Sequence, residues 1–490
     1  MGNLKFGWSE VDITPTEKIA LRGEFFERVT NEVETPISIT SLAIEGDGDQ
    51  VVFCSCDLVG VEEDLMDLTK QILKERNVKG LDIEKIVASA IHTHNSYNYG
   101  SVAGASDPSV LKLFPEGCTY IPEEHDPDQM SAPRALAFLG EKLADAVELA
   151  WNNRKPGGFA PGFGRAAVGM NRRVCYSDGT AAMWGDVEKE NFTELEGGND
   201  NGIEMMFVYD ENKNLTGVVA NLACPSQVLE QRSIISGDFW GKVKILLREK
   251  YGKDLYLLSL CAPAGDQCPR DLIRWVEPET PIKDPNVIRN HPKYRRADPS
   301  MFDVRGTWTI GRRIMNEISF ALESVEEIQT EAILSHSARD IYLPLRRVTE
   351  EDKIKAEKAI ADFFVGKTKI NFMDTAALYV YTGTLHRYEE QKTRDKVRVN
   401  VHNVRLGDIA FSSDPFELFL NYGNQIRAHS PAAQTFLIQL ANGELGYLPT
   451  ALAEAHGHYS AYVSSGYVGH EGGAILVEKT LEDLNELFKD

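Results

Sequence analysis

The sequence predicts an α/β protein in which mixed β-sheets are flanked by helices. Three observations predict it. Paired apolar runs separated by tight turns recur along the chain, the mark of antiparallel hairpins. Apolar runs of strand length also lead into helical stretches, the mark of parallel strand–helix units. Finally, 490 residues with 42% hydrophobic and 26% charged side chains form an ordinary globular composition, long enough to bury a large core without disulfides or a structural metal. Both kinds of connection in one chain point to mixed sheets rather than a purely parallel one.

Taken in order, Ser38–Glu45 and Gln50–Cys56 form a hairpin around Gly46-Asp47-Gly48. Residues 62–76 have the apolar spacing of an amphipathic helix, and Lys85–Ile91 is the next strand, running up to His92. Residues 133–152 give the clearest helix, with Pro133 near its start. Residues 203–209 and 216–223 make a second hairpin, 239–251 a helix, and Tyr256–Leu260 a buried strand leading into a small-residue turn at Gly265-Asp266. Residues 350–365 are helical, and 398–404 with 408–413 form a third hairpin. No repeat, low-complexity tract or Gly/Ser linker interrupts the chain. A single domain over residues 1–490 is expected, with at most a smaller C-terminal subregion set apart from about 330.

Charge and segment content exclude several partners. The 52 Lys and Arg against 74 Asp and Glu leave a net charge of −22, the wrong sign for nucleic acid or an anionic membrane surface. No apolar run approaches the ~18 residues of a transmembrane helix, so no membrane insertion is expected. The N-terminal MGNLKFGWSEVDITP lacks a secretory pattern, and Phe6 removes the myristoylation motif. Seven cysteines without framework spacing read as reduced thiols. A soluble, cytoplasmic protein acting on a small-molecule substrate is expected.

Five windows carry residues with chemical potential. His92 and His94 sit at the end of a strand, where alternation turns both to one side, either as ligand and catalyst or as incidental polar groups. Cys224, followed by Pro225, could be a thiolate ligand, a nucleophile or a small buried residue. Asp266 beside Gly265 could stabilise the turn or orient a ligand. Glu417 follows a strand and would lie in the first turn of a helix, as carboxylate ligand or as complement to the helix dipole. The segment Leu440–Thr450 leads into the stretch 455–473, which has no clear period and reads as a loop rich in His, Tyr and Gly.

Together these windows resemble the neutral/alkaline non-lysosomal ceramidase family in order along residues 8–480. VDITP resembles its N-terminal signature and ASAIHTHNS (88–96) its SATHTHSG strand. Asn171-Arg172 matches the Asn-Arg of its NRSP segment, and ISGD (235–238) is the same four residues. AGDQCP (264–269) resembles its GDVSP turn, PFE (415–417) its PGE segment, and GYLPT (446–450) and HEGG (470–473) its YVTT and YEGA elements. The resemblance implies a ceramidase-like catalytic domain, without the immunoglobulin-like domain that follows it in the family. It also implies one zinc ion held by His, His, Glu and Tyr. These fall on His92, Cys224, Glu417 and Tyr447, with Cys224 a departure that thiolate chemistry tolerates. The companion catalytic groups fall on His94, Arg172 and His470. The implied reaction is metal-assisted hydrolysis of an amide or related bond, with Arg172 and His94 stabilising the carbonyl oxygen and His470 positioning substrate or protonating the leaving group.

The substrate is read from residues 270–313. This stretch holds ten Lys and Arg against six Asp and Glu, in an otherwise acidic chain. Either it is a solvated loop, or Arg295 and Arg296, with Asp266, bind a carboxylate, phosphate or uronate of a small polar substrate. Two other functions fit the same residues. One is a glycosidase using Asp238, Asp266 or Glu417 as its carboxylates. The other is a non-catalytic binding protein that has lost its metal with the change to Cys224.

Overall fold

The computed structural model describes residues 2–100, 115–121, 126–274 and 303–489. Its core is a single topological unit used three times. Each unit is a long strand, a hairpin, a helix, a strand parallel to the second hairpin strand, and a closing helix. The first comprises β1 (Lys5–Asp12), β2 (Ser38–Gly46), β3 (Asp49–Cys56), α1 (Glu63–Arg76), β4 (Ile86–Ala90) and α2 (Ala132–Asn152). The second comprises β5 (Lys155–Arg165), β6 (Gly202–Asp210), β7 (Leu215–Leu222), α3 (Asp238–Tyr251), β8 (Tyr256–Cys261) and α4 (Asp303–Glu323). The third starts with β9 (Leu334–Pro344), inserts α5 (Glu350–Phe364) and α6 (Phe372–Glu390), and continues with β10 (Lys396–Leu406) and β11 (Ile409–Ser413). It then runs through α7 (Leu420–His429) and β12 (Gln434–Ile438), a short α8 (Ala451–His456), and closes with α9 (His470–Leu487).

In every unit the first three strands pair antiparallel and the last pair runs parallel. Units one and two join through β1 and β5 into one eight-stranded sheet of order β8-β7-β6-β5-β1-β2-β3-β4. Unit three forms a separate four-stranded sheet, β9-β10-β11-β12. The expected mixed sheets flanked by helices are what forms.

Strand alternation assigns the two faces of each sheet. On β3, Val51 and Phe53 face the second sheet, while Val52, Cys54 and Cys56 face α1 and α2. The sheets meet through Phe53, Phe411 and Phe436, whose rings lie 4.7 and 4.5 Å apart in succession. Apolar faces of α3 and α4 cover the outer side of unit two, and α7 and α9 that of unit three. The eight-stranded sheet curls so that β3 meets β8, with Ser55 Oγ donating to Ser259 O at 2.6 Å, and strands of all three units share one inner core with helices outside each unit. Among the described residues no helix is long and apolar enough to cross a membrane.

Several local expectations need correction. The segment Lys155–Arg165, for which the sequence predicts no element, is a central strand despite four glycines and two prolines. A Cβ on Gly162 would stand 2.6 Å from the Phe207 ring, so the missing side chain makes room for the core. Residues 303–313, the end of the basic stretch expected to be largely loop, lie in the helix Asp303–Glu323. Gly311 lets that helix approach Lys242 on α3, where a Cβ would sit 2.8 Å from the lysine Cβ. The His/Tyr/Gly stretch opens in the last turns of α8 and closes in the first turn of α9, so it is not loop throughout.

Candidate active site

The parallel strand pair of each unit ends on one side of the molecule. The six connections leaving those ends carry Val59, His92, Cys224, Asp266, Glu417 and Tyr447. This is where open α/β sheets gather their functional groups. Glu417 and Tyr447 are set opposite each other by a two-residue parallel bridge, Glu417–Leu418 with Tyr447–Leu448. Glu417 is therefore on a short strand and not in a helix turn, since α7 begins only at Leu420. Gly265 is required beneath it, because a Cβ there would stand 2.3 Å from the Glu417 carbonyl oxygen. Gln439 ties the same two segments, its Oε1 accepting from Ala264 N at 2.9 Å and Leu418 N at 3.1 Å.

His92 lies just past the end of β4, with a left-handed φ of 62°. The strand geometry expected for His92 and His94 is thus replaced by a turn that brings their rings to 5.1 Å, edge to face. The Nδ1–H of His92 donates to the Val59 carbonyl at 2.7 Å, leaving Nε2 3.5 Å from Glu417 Oε2. Burial acts to discharge His92, but Glu417 outweighs it and the imidazole pKa is raised. For Glu417, burial would raise the pKa, but His92 and Arg172 hold the carboxylate below its usual range. Tyr447 donates to Glu417 and its pKa is pushed up by burial and by that carboxylate.

Arg172 is fully enclosed and sits in the middle of the cluster. It donates to Gly265 O at 3.1 Å, Tyr447 OH at 3.3 Å and Gln227 Oε1 at 3.4 Å, with Glu417 Oε2 at 3.9 Å. Gln227 passes the order on: its Nε2 donates to His94 Nε2 at 2.7 Å. That bond fixes the His94 proton on Nδ1, which faces Glu230 at 3.9 Å. Burial, with His92, Arg28 and Arg172 nearby, holds the His94 pKa well below its usual range, so the ring stays neutral. Gly23 packs against this ring, where a Cβ would lie 2.3 Å from His94 Cγ.

His92, His94, Arg172, Glu417 and Tyr447 are thus brought together, and three other expected site residues are not. Cys224 is buried, but its Sγ turns to the carbonyls of Pro225 (3.4 Å) and Val168 (3.8 Å). Burial and the neighbouring Cys268 and Cys261 hold its thiol well above the usual range. Among the described residues, no group of three His, Cys, Asp or Glu donors within 4.8 Å of one another includes it. His470 begins α9, nearly half exposed, with Nδ1 on Glu454 at 2.9 Å. Asp266 commits both oxygens to structure: Oδ1 accepts from Leu420 N at the start of α7, and Oδ2 from Asn171 Nδ2, each at 3.0 Å. Arg295 and Arg296 lie outside the described residues.

Tyr459 hydrogen-bonds Tyr447, with ring centroids 5.5 Å apart. Its signal was present in the Tyr-rich stretch 455–473, without a spacing to single it out. Gln227 and Glu230 carried no motif at all.

Behind the site, Asp414 is buried and accepts from Phe416 N at 3.0 Å, and burial pushes its pKa from 3.8 up to about 8. The native state therefore keeps a proton that the unfolded chain releases near pH ~4. Native stability on this account falls as pH rises from about 4 to about 8 and levels off above that. In Asp414→Asn this fall is absent, to be read as a smaller difference between urea midpoints at about pH 5 and about pH 8.

No protein-family model matches the chain, and no curated protein sequence matches it significantly. Solved structures do. A neutral ceramidase from Pseudomonas aeruginosa superposes with a TM-score of 0.65 at 16% identity, covering 98% of this chain and 74% of that one. A ceramidase complexed with C2 gives 0.66 at 14%, with the same coverages. At such identities the shared property is architecture, and over nearly its whole length this chain is similar in fold to the ceramidases.

Proposed function

We propose that the chain is a metal-dependent hydrolase that cleaves an amide or related bond in a small polar substrate. One observation carries this reading: His92 Nε2, the Glu417 carboxylate and the Tyr447 hydroxyl converge at the strand ends, with the other nitrogen of His92 anchored on a backbone carbonyl. That anchoring is how metal-binding histidines are held, and one nitrogen with two oxygens is a donor set zinc accepts. Three protein donors also leave an open coordination position, as catalytic zinc sites do, so Cys224 is not needed as a fourth. Bound there, zinc would lower the pKa of water to roughly 7 and polarise a carbonyl.

The protein's own groups supply the rest. Arg172 holds the Tyr447 oxygen and presents fixed positive charge to the oxygen of the attacked carbonyl. His94, neutral with its proton on Nδ1, donates a hydrogen bond without adding charge. Tyr459 takes the role first assigned to His470, orienting substrate and protonating the leaving group. The fold shared with ceramidases supports amide hydrolysis. The buried charges around His94, among them Arg28, Glu230 and Arg270, support a polar substrate over a lipid. The basic stretch holding Arg295 and Arg296 is read as its anion-binding side.

The glycosidase reading loses support because Asp238, like Asp266, has both oxygens committed, here to Leu229 N and Phe239 N. Screening purified protein against N-acylated and glycosylated small molecules separates the two. Amide hydrolysis that stops with a chelator and returns with zinc is expected. Turnover confined to glycosides and indifferent to chelation would contradict it.

A further inference from the structure

Away from that cluster, three other donors converge. Cys175 lies on the strand Arg173–Tyr176, Glu196 directly follows the strand Phe192–Leu195, and His456 ends α8. Their ligand atoms lie within 4.8 Å of one another. His456 Nδ1 is 2.8 Å from Glu196 Oε1 and 3.8 Å from Cys175 Sγ. A tetrahedral zinc with ordinary bond lengths needs separations of about 3.3 Å (N to O) and about 3.6 Å (N to S). Both separations from His456 are therefore within about half an ångström of a binding geometry, and opening the His456–Glu196 hydrogen bond brings its nitrogen to the longer spacing.

Two blander readings fit less well. In a nucleophilic triad the imidazole would use opposite nitrogens, one for the thiol and one for the carboxylate. Here a single nitrogen faces both, which suits a shared cation. As an ordinary ion pair, His456 would be redundant, since Glu196 already has Arg173 across it through Nε and Nη2. That arginine leaves the carboxylate able to bind a cation while being oriented from behind, as outer partners of metal ligands are.

We propose that Cys175, Glu196 and His456 form a second metal site, selective for zinc or a similar transition metal, that fastens the 457–462 segment. Thiolate and imidazole give the selectivity for softer ions. The fastening follows from Arg173, which also donates to Gly457 O at 2.8 Å and Tyr459 O at 3.0 Å. The metal thus holds the segment that carries Tyr459 to Tyr447. His456 is partly exposed, with 22% of its side chain accessible, which gives the ion a way in.

Cobalt(II) is the probe, because only a thiolate ligand gives sulfur-to-cobalt charge-transfer absorption. Wild-type protein titrated with cobalt is expected to show that absorption. It should vanish in Cys175→Ser and weaken at least tenfold in apparent affinity in His456→Ala, a partly exposed position whose truncation spares the core. It should persist in Glu417→Gln and in Cys224→Ser. Absence of the band in wild type, its survival in Cys175→Ser, or its loss in Cys224→Ser would overturn the proposal.

Discussion

Glu417→Gln is expected to lose the zinc at His92 and Tyr447 and lower turnover by roughly a thousandfold or more, since metal polarisation supplies several kcal/mol at ~1.4 kcal/mol per tenfold in rate. The substitution keeps the shape of the side chain and removes its charge. Its backbone stays fixed by the bridge to Tyr447 and by Gly265 below, so loss of function would report on the carboxylate rather than on a shifted strand. Elemental analysis and turnover measured on the same preparation check it. One equivalent of zinc and the activity should disappear together, leaving only the metal held by Cys175, Glu196 and His456; retention of both would remove Glu417 from the site.

The second large effect is at Arg172. Arg172→Ala is expected to lower kcat by roughly 100- to 1,000-fold, the usual cost of losing one donor to a developing oxyanion. KM should change much less, because the interaction strengthens only as charge develops. Arg172→Lys should rescue little of it. One ammonium cannot serve Gly265 O, Tyr447 OH and Gln227 Oε1 from a planar fork, and with the Gln227 bond lost the His94 tautomer is no longer fixed. Steady-state kinetics of both variants decide the point. A defect confined to KM would make Arg172 a ground-state binding group.

What the sequence made legible, and what it hid, have physical explanations. The hairpin at Ser38–Cys56 announces itself because Asp47 and Gly48 both take positive φ, as a tight turn between twisted strands demands. The threefold use of one unit left no trace, because what the units share is strand order and pairing sense, and many apolar sequences satisfy the same layers. β5 was hidden by glycines whose purpose is steric, visible only once Phe207 stands opposite.

The site divides along the same line. His92, Arg172, Glu417 and Tyr447 lie in short windows at strand ends, where local motif and position coincide. Cys224 is in such a window too, but its thiol direction is set by the carbonyls of Val168 and Pro225, which no spacing encodes. His470 sat in the right stretch, yet the capture of its ring by Glu454 and the approach of Tyr459 depend on how α8 and α9 pack.

On the proposed function, three groups from two separated parts of the chain hold one catalytic metal. Anomalous diffraction at the zinc edge from active, zinc-loaded protein tests it most directly. The predicted result is a peak at about 2.0–2.2 Å from His92 Nε2, a Glu417 oxygen and the Tyr447 oxygen, with Cys224 Sγ outside bonding range. Active, zinc-containing protein with no peak among those three atoms would contradict it.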